Sequence, residues 1–259
     1  MTPTEKLQLQ IQACKVRMGV IEAVHGAKAG HPGGSLSASD MFTYLYFKEM
    51  NVDPANPKWE DRDRFVLSKG HTAPGLYSAL AHRGFFPVED LPTLRHIDSY
   101  LQGHPNMNCV PGVDMSTGSL GQGISCAVGM ALGLKHQGKS ARVYTLLGDG
   151  EIQEGQVWEA CMAAAHYKLD NFVAIVDKLE AFGFDVTAID GHDMDQIAAA
   201  FEKAKTVKGK PSAIVMKTTK GKCVSFMENQ AGWHGKAPND AEKEQAMNEL
   251  KAILAGLEG

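Results

Sequence analysis

Four histidines of this chain sit beside glycine or proline in loop contexts: Gly30-His31-Pro32, Gly70-His71-Thr72, Gly103-His104-Pro105 and Trp233-His234-Gly235. An imidazole on a loop can hydrogen-bond a hydroxyl, a phosphate or a carbonyl, and it can move a proton near neutral pH. Any one of the four, taken alone, reads first as a capping or surface residue. Together they favour a site for a polar substrate. None has the i, i+4 spacing of a helical zinc motif, so a histidine metal trio is not expected. His192, in Gly191-His192-Asp193, reads as structural, with Asp193 as a helix cap.

The second signal is Leu147-Gly148-Asp149-Gly150-Glu151-Ile152-Gln153-Glu154-Gly155. An apolar run ends, a Gly-Asp-Gly turn follows, and a helix opens. Glycines let backbone N–H groups approach a phosphate, and a helix start adds positive partial charge. A carboxylate there would repel bare diphosphate. It fits if a divalent cation lies between, because Mg2+ takes hard oxygen ligands and bridges carboxylate to phosphate. The plain alternative is a turn without chemistry. A third cluster, Ser116-Thr117-Gly118-Ser119-Leu120-Gly121-Gln122-Gly123, precedes a helix rich in small residues. Its spacing is GxxGxG rather than GxGxxG, with no strand closely before it and no acidic residue at the usual distance. Dinucleotide binding is therefore rejected.

These loops need a frame. Apolar residues at Leu7, Ile11, Cys14, Met18 and Ile21 predict a helix over 4–29, and Pro32 bars its continuation. Ser37 or Ser39 is expected to cap a second helix running to Met50. Further helices are expected near 75–82, 120–136, 156–169, 194–205 and 241–257. Strands are expected at 64–68, 143–147, 172–176, 186–189 and 213–217. Strands alternating with helices predict an α/β fold: a parallel sheet with helices on both faces, in one domain spanning 1–259. The 259 residues carry 26 Lys+Arg against 30 Asp+Glu, a net charge of −4, which gives no electrostatic footprint for nucleic acid. No apolar run is long enough for a membrane span. Five cysteines without a CxxC pair read as free thiols, and with no signal-like start the reading is cytoplasmic.

Six segments in this order resemble the N-terminal, diphosphate-binding domain of transketolase over nearly the whole chain. They are Ala29–Ser35, Asp63–His71, Gly103–Pro105, Ser116–Gly123, Gly148–Gly155 and Ala231–Gly235. The resemblance implies the thiamine diphosphate-binding fold and a cofactor pair of thiamine diphosphate and Mg2+, or Ca2+ or Mn2+ in its place. It implies that Asp149 ligates the metal, that the backbone at Gly150 meets the phosphates and that Glu151 also binds the cofactor. His71 and His234 would approach the diphosphate. Gly118, Ser119 and Leu120 would line the pocket. His31, His104 and His234 would contact sugar phosphates and move protons. Glu154 resembles an acidic residue linking two cofactor sites across a dimer. The implied reaction moves a two-carbon ketol unit from a ketose to an aldose, with the cofactor as electron sink.

The resemblance also implies what this chain lacks. A full transketolase is more than twice as long, and its middle and last domains bind the aminopyrimidine and the sugar phosphate. The chain is therefore expected to be the N-terminal subunit of a split transketolase. It would be inactive alone and work with a C-terminal subunit bearing the pyrimidine-binding domain. Self-association is expected through helix 120–134 and the Val157/Cys161/Ala165 surface. Two alternatives stay open: a cofactor-binding-defective structural or regulatory paralogue, and a split ketol transferase for another sugar. The family's second metal motif, an Asn-Gly pair, should follow Val176 at once. The chain instead reads Asp177-Lys178-Leu179-Glu180-Ala181-Phe182. Asn171 precedes the strand and belongs at the wrong end of the sheet. Lys178–Phe184 resembles the end of the family's next helix. A parallel crossover needs a dozen residues or more. About two dozen residues are therefore expected to be missing between Asp177 and Lys178, as an unseen mobile loop in preference to a true deletion. A Cα separation well beyond ~3.8 Å would reveal the loop.

Overall fold

The computed structural model describes residues 1–176 and 183–259. The expected break between Asp177 and Lys178, and the helix end expected over 178–184, fall wholly or mainly on 177–182 and so lie outside the described residues. The strands are β1 (Arg64–Leu67), β2 (Val143–Leu146), β3 (Phe172–Val176), β4 (Asp185–Asp190) and β5 (Ser212–Lys217). They form one sheet in the order β1-β2-β3-β5-β4, with every pair parallel. All five carboxyl ends therefore share one edge, where ligands sit in open parallel sheets.

The helices are α1 (Pro3–Ala27), α2 (Pro32–Ser37), α3 (Ser39–Tyr44), α4 (Ala73–Arg83), α5 (Gln122–His136), α6 (Gly155–His166), α7 (Met194–Thr206) and α8 (Asp240–Glu258). A capping box of Thr2 and Glu5 starts α1, and Asn239 with Glu242 starts α8 the same way. Asp193 caps α7 through the backbone N–H groups of Asp195 and Gln196, as expected. The single helix expected up to Met50 is instead two short helices and a π turn over Leu45–Glu49. Neither serine caps it. Ser37 Oγ donates to Gly34 O and Ser39 Oγ to Ser35 O, so each hydroxyl satisfies a carbonyl instead of a free N–H.

The strands alternate side chains between two cores. Phe65, Leu67, Tyr144, Leu146, Val173, Ile175, Ile189, Ile214 and Met216 pack with α1, α3, α4 and α7. Val66, Val143, Phe172, Ala174 and Val176 pack on the other face with α5 and α6. The first face also buries a charged chain. Arg17 pairs with Asp40, His192 Nδ1 lies 2.7 Å from Asp40 Oδ2, and the Thr219 N–H donates to His192 Nε2 at 2.8 Å. Since Nε2 accepts, Nδ1 carries the proton and donates to Asp40. Burial pushes the Asp40 carboxyl up, but Arg17 and His192 outweigh it and hold it below its usual range. His192 is thus structural, as the sequence suggested: it ties α3 to the loop after β5.

Candidate functional site

The loops that leave the carboxyl edge converge. His31 stands just before α2, His71 in the turn after β1, and His234 in the short turn before α8. Their ring centroids are 4.9 Å (His31–His71), 5.3 Å (His31–His234) and 5.6 Å (His71–His234) apart. His104 joins from a fourth loop, over Gly118: a methyl group on Gly118 would lie only 3.4 Å from its ring. The Lys69-Gly70-His71 turn is equally close to the Ser116–Gly123 loop, since a Cβ on Gly70 would lie 2.9 Å from the Thr117 backbone. Motifs scattered over two hundred residues of sequence therefore meet in one place.

Crowding sets the chemistry. Burial, and then His31, Lys69 and the other imidazoles, push the His71 pKa down to about 4. His31 is lowered by burial and by His234 and Arg95, and His104 by burial and Arg95. His234 is lowered by burial and by Lys220, with Asp149 pulling it back up. All four favour the neutral imidazole, which can both accept and donate. His31 Nδ1 is buried and has no hydrogen-bond partner. Such an atom is costly to leave unsatisfied and marks a place where a ligand's polar group would fit.

Asp149 is exposed at the carboxyl end of β2, and Gly150 has open space where a side chain would point. Glu151 differs from the expectation that it lies against the phosphates. Its carboxylate is buried and accepts from Ser68 Oγ at 2.5 Å, Gly121 N–H at 2.9 Å and Gly148 N–H at 3.0 Å. It clamps three loops together, so its carboxylate is committed to the protein. Ser119 and Leu120 are exposed beside Gly118, and Glu154 is exposed at the start of α6 against Gly121. Asn171 donates to Ala131 O at the amino end of β3, far from the carboxyl edge, as expected. Val157 and Cys161 lie in the core under α5 and cannot meet another chain, which corrects that part of the expected contact surface. Gly129 and Gly133 on α5 do face open space.

Sequence reasoning missed Lys220 and Arg95. Lys220 follows β5, and its side chain lies against Gly33 while its charge bears on both His31 and His234. A lysine in Thr219-Lys220-Gly221, just beyond a strand's carboxyl end, was the available signal. Arg95 acts from a loop with no strand before it, and its guanidinium lies where a Cβ on Gly103 would be, so nothing local flagged it.

The donor set separates the two implied cofactors. Two lysines, neutral histidines and open glycine backbone fit a diphosphate. A divalent cation would take the exposed Asp149 carboxylate as a hard oxygen donor and the phosphate oxygens as the others, since among the described residues no group of three His, Cys, Asp or Glu could hold a metal ion by itself.

A family model described as the transketolase, thiamine diphosphate binding domain matches residues 9–180 and 175–253. This chain belongs to that family. It is 42% identical to a Clostridium sp. protein named a 6-deoxy-6-sulfo-D-fructose transketolase subunit, covering 95% of this chain and 98% of the relative. It is 41% identical to a Phocaeicola vulgatus protein named as one chain of an apulose-4-phosphate transketolase, covering 96% of each. The Campylobacter jejuni transketolase structure superposes with a TM-score of 0.88 at 32% identity, over 99% of this chain and 46% of that one. The chain thus spans under half of the larger transketolases and nearly all of the subunit-sized relatives. The two matched segments share residues 175–180, which the family model uses twice. The aligned span with the Clostridium protein is 268 residues. Ninety-five per cent of this chain's 259 residues is about 246, so about 22 residues of that relative have no counterpart here.

Proposed function

We propose that this chain is the diphosphate-binding subunit of a two-chain, transketolase-type enzyme moving a two-carbon ketol unit between anionic sugars. The observation that carries this reading is the imidazole cluster at the carboxyl edge of the sheet, packed on the glycine loops and faced by Lys220. Cofactor phosphates would be held by His71, His234, Lys69, Lys220 and the Gly150 backbone, with Gly118, Ser119 and Leu120 along the pocket wall. Bound there, thiamine diphosphate would supply the electron sink for the two-carbon fragment.

The chain's own residues would handle protons and position. His31 would use its unpartnered Nδ1 on a substrate hydroxyl. His104 and His234, held neutral, would take a proton from one sugar oxygen and return it to another. Glu154, exposed beside Gly121, would meet a second copy of the chain. The sugar-phosphate grip and the pyrimidine site would come from a second polypeptide, and the protein is expected in the cytoplasm. The names of the two bacterial relatives make 6-deoxy-6-sulfo-D-fructose and apulose 4-phosphate reasonable first donors, beside xylulose 5-phosphate. Reconstitution with a pyrimidine-domain chain, assayed against that panel of ketoses, tests the reading. Ketol transfer by this chain alone would defeat it.

A further inference from the structure

Three of the four clustered imidazoles are placed by regular structure. His31 stands before α2, His71 in the turn after β1 and His234 in the short turn before α8. His104 has no such support. Between Thr93 and Gln122 the chain forms neither helix nor strand, and His104 itself is exposed. A loop side chain open to water samples many conformations unless its backbone is held. Proton transfer asks for one position, because the imidazole must lie within hydrogen-bond reach of the proton it moves.

The holder comes from α4. Tyr77 is fully buried, and its ring belongs to the core of the first face. Its Oη donates to Gln102 O at 2.9 Å and to His104 O at 3.0 Å. One proton is thus shared between the two carbonyls on either side of Gly103, a three-centre bond. Burial pushes the phenol above its usual range, so it stays protonated and donates near neutral pH. Arg95 closes on the same segment. Its N–H donates to Leu101 O at 2.8 Å, and a Cβ built on Gly103 would lie 2.6–2.8 Å from its Nε, Cζ and Nη2. Glycine at 103 leaves room for that guanidinium. Arg95 reaches this place with a φ of 64°, the left-handed region that side chains other than glycine rarely adopt. On the far side of His104, the Thr117 N–H donates to Pro105 O at 3.3 Å, and the imidazole rests over Gly118.

Resting on the functional reading above, we propose that Tyr77 is a positioning residue for His104. Its hydroxyl, with the Arg95 guanidinium as a second holder, fixes the imidazole through the backbone on both sides of Gly103. A hydroxyl on a ring locked in the core has little freedom of its own, which is what a support for a site residue requires. Phenylalanine at 77 would keep the buried ring and lose only the two hydrogen bonds. Gln102 and His104 are exposed, so water can replace the lost donor and the fold loses little. What the loop loses is its aim at the site.

The test watches the imidazole itself, by NMR titration of the full chain with and without Tyr77→Phe. Burial and the Arg95 cation hold His104 below 6.5, and the imidazoles of His31 and His71 are coupled to it. Released from the loop's grip, His104 should titrate nearer 6.5 while His234 keeps its value. Gly103→Ala, whose methyl would meet the guanidinium, should release it from the Arg95 side, and it serves should Tyr77→Phe fail to fold. An unmoved His104 in a folded variant would overturn this inference and leave the family function standing. The second readout is ketol transfer after reconstitution with a pyrimidine-domain chain. Tyr77→Phe should lower kcat about tenfold or more with KM little changed, since a misplacement of about 1 Å can cost about a hundredfold. Once His104→Ala is in place, Tyr77→Phe should cost nothing further. Equal losses in the two backgrounds would make Tyr77 merely structural and refute the proposal. A released ring with unchanged kcat would overturn the inference and the role assigned to His104 together.

Discussion

Two regions of the sheet are built to different standards. Around the carboxyl ends of the strands, loops lock together: Glu151 holds Ser68, Gly121 and Gly148, while Arg17, Asp40 and His192 fix the loop that carries Lys220. On the α5/α6 face of β4 and its neighbour β5, Val186 and Val215 are only half-buried and Ala188 is exposed. The first region commits buried polar groups to positioning, which is stable only when every partner is present. Among the described residues, the second holds no such network and has less to lose.

If that contrast is right, the largest losses come from behind the histidines. Asp40→Asn leaves Arg17 buried without its counter-charge, and breaking such a pair costs about 3–5 kcal/mol. Urea unfolding should show this as a lowered midpoint with an unchanged slope. A cost under about 1 kcal/mol would mean that the Arg17–Asp40–His192 chain does not organise the region. Glu151→Gln comes next. It removes the charge from an acceptor of three hydrogen bonds and confronts one of the donors with an amide N–H. The expected loss is about 2–3 kcal/mol, set by one poorly satisfied buried donor and the weakened bonds to the others.

The pH response is the third way to sharpen the comparison. His71, His31, His104 and His234 are all lowered from 6.5, so the unfolded chain binds more protons than the folded chain just below that pH. Their neutral-form stability is fully present above about pH 6.5 and is lost as pH falls toward the folded values, near 4 for His71. Thermal melts should drop between about pH 7 and pH 5, and His71→Gln should flatten that drop. A His71 ring titrating near 6.5 by NMR would show that Lys69 and the neighbouring imidazoles do not crowd it.

Much of this arrangement was legible in the sequence, for reasons that differ by element. The strands at 64–67, 143–146 and 172–176 are short apolar runs ended by glycine or charge, and they lie within a residue of expectation. The four loop histidines were legible because glycine and proline flank them. Convergence on one point is a property of topology, and the resemblance supplied it where spacing alone did not. Glu151 misled because its carboxylate sits in the phosphate-loop motif while its partners include groups from two other segments. The serines near 37–39 misled because a hydroxyl that can cap an N–H can equally bond a carbonyl one turn back.

The smallest effect is the most pointed, because it compares two faces of one strand. Ile189 is buried under α7, and Ile189→Ala should cost about 2–4 kcal/mol through lost burial and a cavity. Ala188, the preceding residue, points to the α5/α6 side and is exposed. Ala188→Lys there should change stability by less than about 0.5 kcal/mol, since a surface substitution displaces no packed neighbour. Comparing the urea midpoints of the two variants reads the two faces directly. A tolerated lysine at 188 and a costly alanine at 189 is the expected pair. A loss above about 2 kcal/mol for Ala188→Lys would mean that this face of β4 is packed, and the contrast between the two regions would fail.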